Sequence, residues 1–257
     1  MNAEAPLLRA KNLEKRFSGL VAVNDVSFEV EEGGIVGLIG PNGAGKSTTF
    51  DLLTGFLSPT RGEVYLHGEN ITTLRPHQRT HRGLVRTFQI ARELTGMKVY
   101  DNMLLGMQRQ PDEKIIPALL KNGTVRKRAA AAEEQTEKWL KFLDLWELRD
   151  EYAGNLSGGQ RKLLELGRAL MADPDLLLLD EPLAGVNPEL SQRILAQIDD
   201  LRAEGVSFLI VEHDIDAIMG ISDQVIGMHN GSVMTMGSPR EVQQNEEFLQ
   251  AYLGGSV

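Results

Sequence analysis

An α/β fold is predicted by three observations on this 257-residue sequence. Residues 40–48, GPNGAGKST, fit the spacing G-x-x-x-x-G-K-[ST] of a phosphate-binding loop. Residues 176–179 are an unbroken leucine run that ends in Asp180 and Glu181, the pattern of a buried parallel strand with acids at its carboxyl end. Between the two, from about residue 75 to residue 170, strand signals fade and helix formers dominate. The predicted architecture is a phosphate-loop nucleotide-binding core with an N-terminal antiparallel β subdomain and an inserted α-helical subdomain. Residues 1–74 and 171–257 are assigned to the core and 75–170 to the insert, all within one domain.

Residues 7–13 and 21–30 read as strands, with VSFEV showing the clearest alternation. Phe17 lies between them in KRFSGL. A core aromatic is the simpler reading of that position, and a ring that stacks on a base is the other. Residues 35–39, IVGLI, form a short apolar strand, and a helix begins about Ser47. The loop between them thus has the flanks its chemistry requires. Its glycines open backbone torsions closed to other residues, so the amides of Asn42, Gly43, Ala44, Gly45, Lys46, Ser47 and Thr48 can wrap phosphates. The helix N-terminus adds positive potential at the same place. Lys46 is placed to reach the β- and γ-phosphates, and the Ser47 hydroxyl to ligand Mg²⁺.

Residues 63–67 make another strand, set after the turn SPTRG. Helices are then predicted over 102–108, 115–121 and 125–143. The last is rich in strong helix formers and turns Trp139, Leu140, Leu143 and the following Leu145 inward. Leu156-Ser157-Gly158-Gly159-Gln160 opens a further helix, in which Leu163, Leu166, Gly167 and Leu170 share one face. Taken alone, SGG is a common loop, although two glycines at a helix start suit an anion.

The leucine strand is bounded by Pro174 and Pro182. Two carboxylates at the carboxyl end of such a strand are costly unless a cation or a reaction uses them. Asp180 then reads as a Mg²⁺ ligand and Glu181 as general base on water. A strand-end turn with two solvated acids is the alternative once the phosphate loop is set aside. A helix over 188–203 leads to a second apolar strand, 206–211, which ends in Glu212-His213-Asp214 and puts His213 where a γ-phosphate contact belongs. Asn230-Gly231 turns a hairpin between 224–228 and 232–236. Ser238-Pro239-Arg240-Glu241 is a capping box, and a terminal helix runs to about Tyr252.

Composition narrows the class. Hydrophobic residues at 42 % and charged residues at 25 % are ordinary for a globular protein. A net charge of −9 and a pI near 5.2 argue against the basic footprint of a nucleic-acid or anionic-membrane binder. The absence of cysteine suits a reducing compartment. No apolar run reaches the length of a membrane span, and the N-terminal stretch carries charges where a signal peptide needs apolar residues. Membrane association is therefore expected through a protein partner.

GPNGAGKST, then Gln89, then LSGGQ, then LLLLDEP, then His213 form an ordered set that resembles the ATP-binding subunits of ABC transporters, over essentially the whole chain. LSGGQ is its most specific part, because other phosphate-loop ATPases lack it. The resemblance implies hydrolysis of ATP with Mg²⁺ by a dimer in which the signature of one subunit closes over the ATP held by the other. It implies that Phe17 stacks on adenine and that Gln89 joins Ser47 and Asp180 near Mg²⁺ and relays to a membrane subunit. Ser157, Gly158, Gly159 and Gln160 form the signature that contacts ATP in trans. Glu181 resembles the catalytic base and His213 the switch histidine.

A narrower resemblance joins GLVRTFQ, EPLAGVNP, the closing EEFLQAYLG and the insert near 110–126 to the larger ATPase subunit of branched-chain amino-acid uptake systems. Asn187 departs from the aspartate that many family members carry. Glu151-Tyr152-Ala153-Gly154-Asn155 does not match the exporter pattern before LSGGQ. The implied partners are a second ATPase subunit (identical or different), transmembrane permease subunits and, indirectly, a substrate-binding protein, with no nucleic acid. The implied place is the cytoplasmic face of the cell membrane, held peripherally. The segment from Gln89 to about Met107 is expected to dock on the membrane subunit, with Ile90, Leu94, Met97, Val99 and Met103 divided between that surface and the core. A soluble ABC ATPase of iron–sulfur cluster assembly and a lipopolysaccharide-export ATPase stay open as alternatives.

Overall fold

The computed structural model describes residues 5–87, 94–107 and 123–254. Gln89, Ile90 and the helix expected over 115–121 lie outside the described residues. The chain divides into two compact units, Met1–Arg86 with Asp175–Ala184 and Leu195–Val257, and Thr87–Pro174 with Gly185–Ile194.

The first unit holds two sheets. Strand β1 (Leu8–Phe17) pairs antiparallel with β2 (Leu20–Val30) on one side and β4 (Arg61–Leu66) on the other, and the short β5 (Glu69–Asn70) completes the sheet. Leu8, Ala10, Leu13, Val26, Phe28, Val30 and Val64 are buried from one face, which explains the partial alternation of these segments. The second sheet contains β3 (Ile35–Ile39), β6 (Leu84–Arg86), β7 (Leu176–Asp180), β8 (Ser207–Val211), β9 (Gln224–His229) and β10 (Ser232–Gly237). Their order is β10-β9-β3-β8-β7-β6, parallel except for β10. Every residue of β3, β7 and β8 is buried, so these strands read as unbroken apolar runs.

Helix α1 (Lys46–Thr54) follows β3, and its Phe50, Leu52 and Leu53 are fully buried in a core shared by side chains of both sheets. Residues 75–86, grouped by sequence with the helices, contribute α2 (Pro76–Thr80) and β6 to this unit. Leu84, Val85 and Arg86 pair with Leu176, Leu177 and Leu178, a strand too short for periodicity to reveal.

In the second unit, α3 (Val99–Leu104), α4 (Gly123–Phe142) and α5 (Gly158–Leu170) pack around Trp139, Leu140, Leu143 and Leu145, all buried as their spacing predicts. A Cβ at Gly167 would lie 2.7 Å from Met103 Sδ and 2.8 Å from Leu143 Cδ1, so glycine permits the close approach of α3 and α5. Helix α3 begins earlier than the expected 102–108, and it buries Val99 and Met103 completely. Of the segment expected to dock on a partner, these two belong to the core, whereas Leu94 is 48 % exposed. Buried Asn102 donates from Nδ2 to the carbonyls of Leu94, Met97 and Lys98 and accepts the Leu94 N–H, which fixes the loop before α3. Helix α6 (Pro188–Ala203) follows β7, α7 (Ile215–Ile221) follows β8, and α8 (Pro239–Gln243) and α9 (Glu246–Gly254) close the chain.

A buried arginine ends α1. The last carbonyls of a helix lack intrahelical donors, and here Arg79 supplies them. Its Nη1 donates to Leu52 O at 2.7 Å and Leu53 O at 2.5 Å, Nη2 to Thr72 O at 2.7 Å, and Nε to Leu74 O at 3.1 Å. Burial lowers its pKa to about 10, which leaves it charged at neutral pH beside the negative end of α1. Arg79→Met should lower unfolding stability by about 3 kcal/mol, because several buried carbonyls lose their donor at once. Urea unfolding checks this; a loss under about 1 kcal/mol would mean that water replaces the guanidinium.

Candidate functional site

Between β3 and α1 the chain makes the phosphate loop. Gly43 has φ +80 and Gly45 φ +100, the left-handed region that favours glycine. At Gly45 an added Cβ would also lie 2.6 Å from the Ala22 carbonyl oxygen. The β9–β10 hairpin braces the loop: the Gly231 N–H donates to Ala44 O at 3.0 Å, and the Asn24 N–H donates to Gly231 O at 2.8 Å. Asn230 and Gly231 have φ +48 and +81, as a two-residue turn of this kind requires. Lys46 is buried, and its Nζ donates to Gly40 O at 2.6 Å and Pro41 O at 3.1 Å. Burial pushes the Lys46 pKa down, while the charges of Glu181 and Asp180 hold it up in part.

The acids come from the ends of β7 and β8. Asp180 is 5 % exposed and accepts from Arg86 Nη2 at 2.8 Å; Arg86 Nη1 donates to Asp51 Oδ1 on α1 at 2.5 Å. Glu181 sits at φ +51, a left-handed conformation uncommon for a residue with a long side chain. Its N–H donates to Val211 O at 2.9 Å, and its Oε1 lies 2.9 Å from His213 Nε2. Between these two, Glu212 is buried, and its carboxylate accepts the N–H of Leu183 at 2.6 Å and of His213 at 3.0 Å. The Tyr252 hydroxyl on α9 donates to the His213 carbonyl at 3.2 Å.

Lys46, Glu181 and His213 line one cleft of about 560 Å³. Phe17, Leu20, Val21 and Ala22 form its apolar end, and Asn42, Gly43, Ala44, Gly45, Lys46, Ser47 and Thr48 line it with Glu181 and His213. Phe17 is 43 % exposed, with Lys15 Nζ 5.1 Å from its ring centre, so it is not a core aromatic. The short β1–β2 connection places it at the rim, and no periodicity signals that. Among the described residues there is no cluster of three or more His, Cys, Asp or Glu suited to a metal ion. Mg²⁺ bound to a nucleotide takes most of its ligands from phosphate and water, so one or two protein groups suffice. The exposed Ser47 hydroxyl beside the loop and the buried Asp180 carboxylate fit that need.

The signature residues belong to the second unit. Ser157 caps α5, accepting the Gln160 N–H at 3.3 Å, and Gln160 Oε1 accepts the Ser157 N–H at 2.9 Å. Gly158 and Gly159 open the helix; a Cβ at Gly159 would collide with Leu190 at 2.1 Å, whereas Gly158 has open space. Asn187, the departure noted in the sequence, accepts the Leu190 N–H at 2.8 Å and so stands at the start of α6.

A family model described as ABC transporter matches residues 23–184, which span the phosphate loop, the signature and both acids. The chain belongs to the ABC transporter family. It is 40 % identical to the high-affinity branched-chain amino acid transport ATP-binding protein BraF of Pseudomonas aeruginosa, over 97 % of this chain and 98 % of that one. It is 42 % identical to the probable branched-chain amino acid transport ATP-binding protein LivG of Archaeoglobus fulgidus, over 96 % and 95 %. A solved structure described as the ADP conformation of an ATP-binding cassette of an ABC transporter superposes with a TM-score of 0.85 at 38 % identity, covering 97 % of this chain and 99 % of that one. A nucleotide-free cassette gives 0.84 at 37 %, covering 96 % and 99 %. As an ABC ATPase, the chain binds nucleotide and hydrolyses ATP.

Two site residues have no sequence signal of their own. Arg86 closes a three-residue strand, and Glu212 is one of two acids in an EHD run; only the fold brings them against Asp180 and the Leu183 N–H. Lys46 yields a test. A lysine whose pKa is lowered by burial in the free protein holds its proton more tightly once phosphates come beside it. Nucleotide binding on the alkaline side of neutrality should therefore take up protons, and affinity should fall as pH rises. Calorimetry in two buffers of different ionisation enthalpy reads the uptake, and Lys46→Arg should abolish it. Identical heats for the parent in both buffers would contradict the assignment.

Proposed function

We propose that the chain is the ATP-hydrolysing subunit of an importer for branched-chain amino acids. It sits peripherally on the cytoplasmic face of the membrane, docked on permease subunits that a substrate-binding protein loads. The observation that carries this reading is its identity of 38 % to 42 % to proteins named for branched-chain amino acid transport, over nearly the full length of both chains. No helix among the described residues is long and apolar enough to cross a membrane.

In this reading the nucleotide lies in the cleft with its base against Phe17 and its phosphates among the amides of residues 42–48. Lys46 leaves the Gly40 and Pro41 carbonyls for the β- and γ-phosphates. Ser47 and Asp180 would hold Mg²⁺, with Gln89 as a third contact, and the ion would offset charge on the phosphate oxygens. Arg86 keeps the Asp180 carboxylate oriented. Glu181 accepts a proton from the attacking water, and His213, bonded to it at 2.9 Å, holds that carboxylate towards the γ-phosphate. Ser157, Gly158, Gly159 and Gln160 act on the ATP of a second subunit. The helix N-terminus there, with Gly158 unobstructed, offers N–H groups to a phosphate. The exposed Leu94 and its neighbours form part of the membrane-subunit surface.

Glu181→Gln should bind ATP as the parent does and hydrolyse it at least about 100-fold more slowly, because the amide keeps the shape and loses the base. An ATP-loaded dimer should then accumulate at twice the monomer mass in light scattering. The parent, reconstituted with the integral membrane subunits that copurify with it, should hydrolyse ATP faster when leucine-loaded binding protein is added. Near-normal turnover by Glu181→Gln would move the base elsewhere, and copurification with soluble partners alone would sink the importer reading.

A further inference from the structure

A buried carboxylate that takes no part in this chemistry touches the backbone on both sides of it. Glu212 is 4 % exposed. Its Oε1 accepts the N–H of Leu183, two residues beyond Glu181, at 2.6 Å, and its Oε2 accepts the N–H of His213 at 3.0 Å. The His213 ring in turn meets Glu181 at 2.9 Å. A closed circuit results, running from the Glu181 side chain through His213 and Glu212 to Leu183 and back along the chain to Glu181. It spans the ends of two adjacent parallel strands, where Asp180 pairs with Val211.

Glu181 needs such support. Its φ of +51 places a non-glycine residue in the left-handed region, where the side chain crowds the backbone. A conformation of that kind persists where its surroundings over-determine it. Here the Glu181 N–H is held by Val211 O, the Ala184 N–H by Glu181 O, and the Leu183 N–H by Glu212.

Stability does not explain the acid. Burial pushes the Glu212 pKa above its ordinary value; the N–H donors of Leu183, His213 and Asp214 pull it part of the way back, and the Glu181 charge adds to the rise. A carboxyl whose folded pKa exceeds its unfolded pKa destabilises the fold as pH rises through that interval, and the penalty persists above it. Ionising this buried carboxyl therefore costs stability.

We propose that Glu212 is a positioning residue for ATP hydrolysis. By holding the Leu183 and His213 amides together, it fixes the strained Glu181 backbone against His213 and keeps the general base aimed. This rests on the assignment of Glu181 as that base.

Glu212→Gln tests it, because one acceptor oxygen remains and the new NH₂ faces a backbone N–H, so one of the two bonds is lost. The kcat for ATP should fall about 10- to 100-fold, since a small misplacement of a catalytic group has effects of that size. The KM and Kd for ATP should stay within about twofold of the parent, because nothing that binds phosphate has changed. His213→Ala, alone and combined with Glu212→Gln, adds a second readout. Residues that act as a unit are non-additive, so the double variant should be no slower than the slower single one, within about threefold. If Glu212→Gln does not fold, Glu212→Asp takes its place: it keeps the charge, is one methylene too short to span both amides, and should show the same split. An unchanged kcat, a KM that rises as kcat falls, or multiplicative losses in the double variant would overturn the proposal, as would failure of both Glu212 variants to fold. Glu181→Gln run in parallel separates the two claims. If that variant turns over normally, the base assignment fails; if it is slow while Glu212→Gln is normal, the positioning role alone fails.

Discussion

Backbone hydrogen bonds set β3, β8 and β7 side by side and parallel, with Leu38 paired to Val211 and Val211 to Asp180. That register levels the carboxyl ends of three strands. The first delivers the phosphate loop, the second Glu212 and His213, and the third Asp180 and Glu181. Side chains alternate along a strand, so a slip of one residue would turn Asp180 away from Arg86 and put an apolar leucine in its place. Every distance in the site, from the contact of His213 with Glu181 to the bridge of Glu212, presupposes this pairing. Binding at the carboxyl ends of parallel strands is the usual arrangement for open α/β sheets, and here it follows from burial. Strands covered on both faces can place charged groups only where they end.

Charge balance is the second constraint. Lys46, Asp180 and Arg86 are largely withdrawn from water, where an unpaired ion would be costly, and Asp51 lies at the edge of the group. Arg86 answers both acids at once and lies 5.5 Å from the Phe50 ring centre, so α1 and β7 are tied by one guanidinium. Lys46 meets loop carbonyls, and its proton is the more loosely held for being buried. In the proposed binding mode a phosphate group would meet a cation that is already desolvated, which would strengthen the contact.

The legible part of the protein is the part that local chemistry dictates. The phosphate loop shows because left-handed glycines, a lysine and a hydroxyl must fall at fixed spacings, and Gly43 and Gly45 have those torsions. The acidic strand shows because four leucines leave no alternating face, and the Asn230-Gly231 turn because both residues need positive φ. Phe17 has two readings in the sequence: a ring at a short strand connection can point to the core or the cleft, and only the packed sheet decides. Val99 and Met103 suit a surface or a core equally, and the close approach of α3 and α5 at Gly167 puts them inside. Arg86, Arg79 and Glu212 were illegible for another reason. Each acts on groups brought near by tertiary structure, 94 positions away for Arg86 and Asp180 and 29 for Glu212 and Leu183.

In the proposed mechanism this cleft holds the triphosphate with Lys46 at its phosphates and residue 181 facing the γ-phosphate. A crystal structure of Glu181→Gln grown with ATP and Mg²⁺ would show whether it does. The expected result is Lys46 Nζ moved from the Gly40 and Pro41 carbonyls to phosphate oxygens, the adenine against Phe17, Mg²⁺ on Ser47 and on the Asp180 side, and the residue 181 amide within one water of the γ-phosphorus. Phosphates bound away from the amides of residues 42–48, or a residue 181 side chain turned out of the cleft with ATP in place, would contradict it.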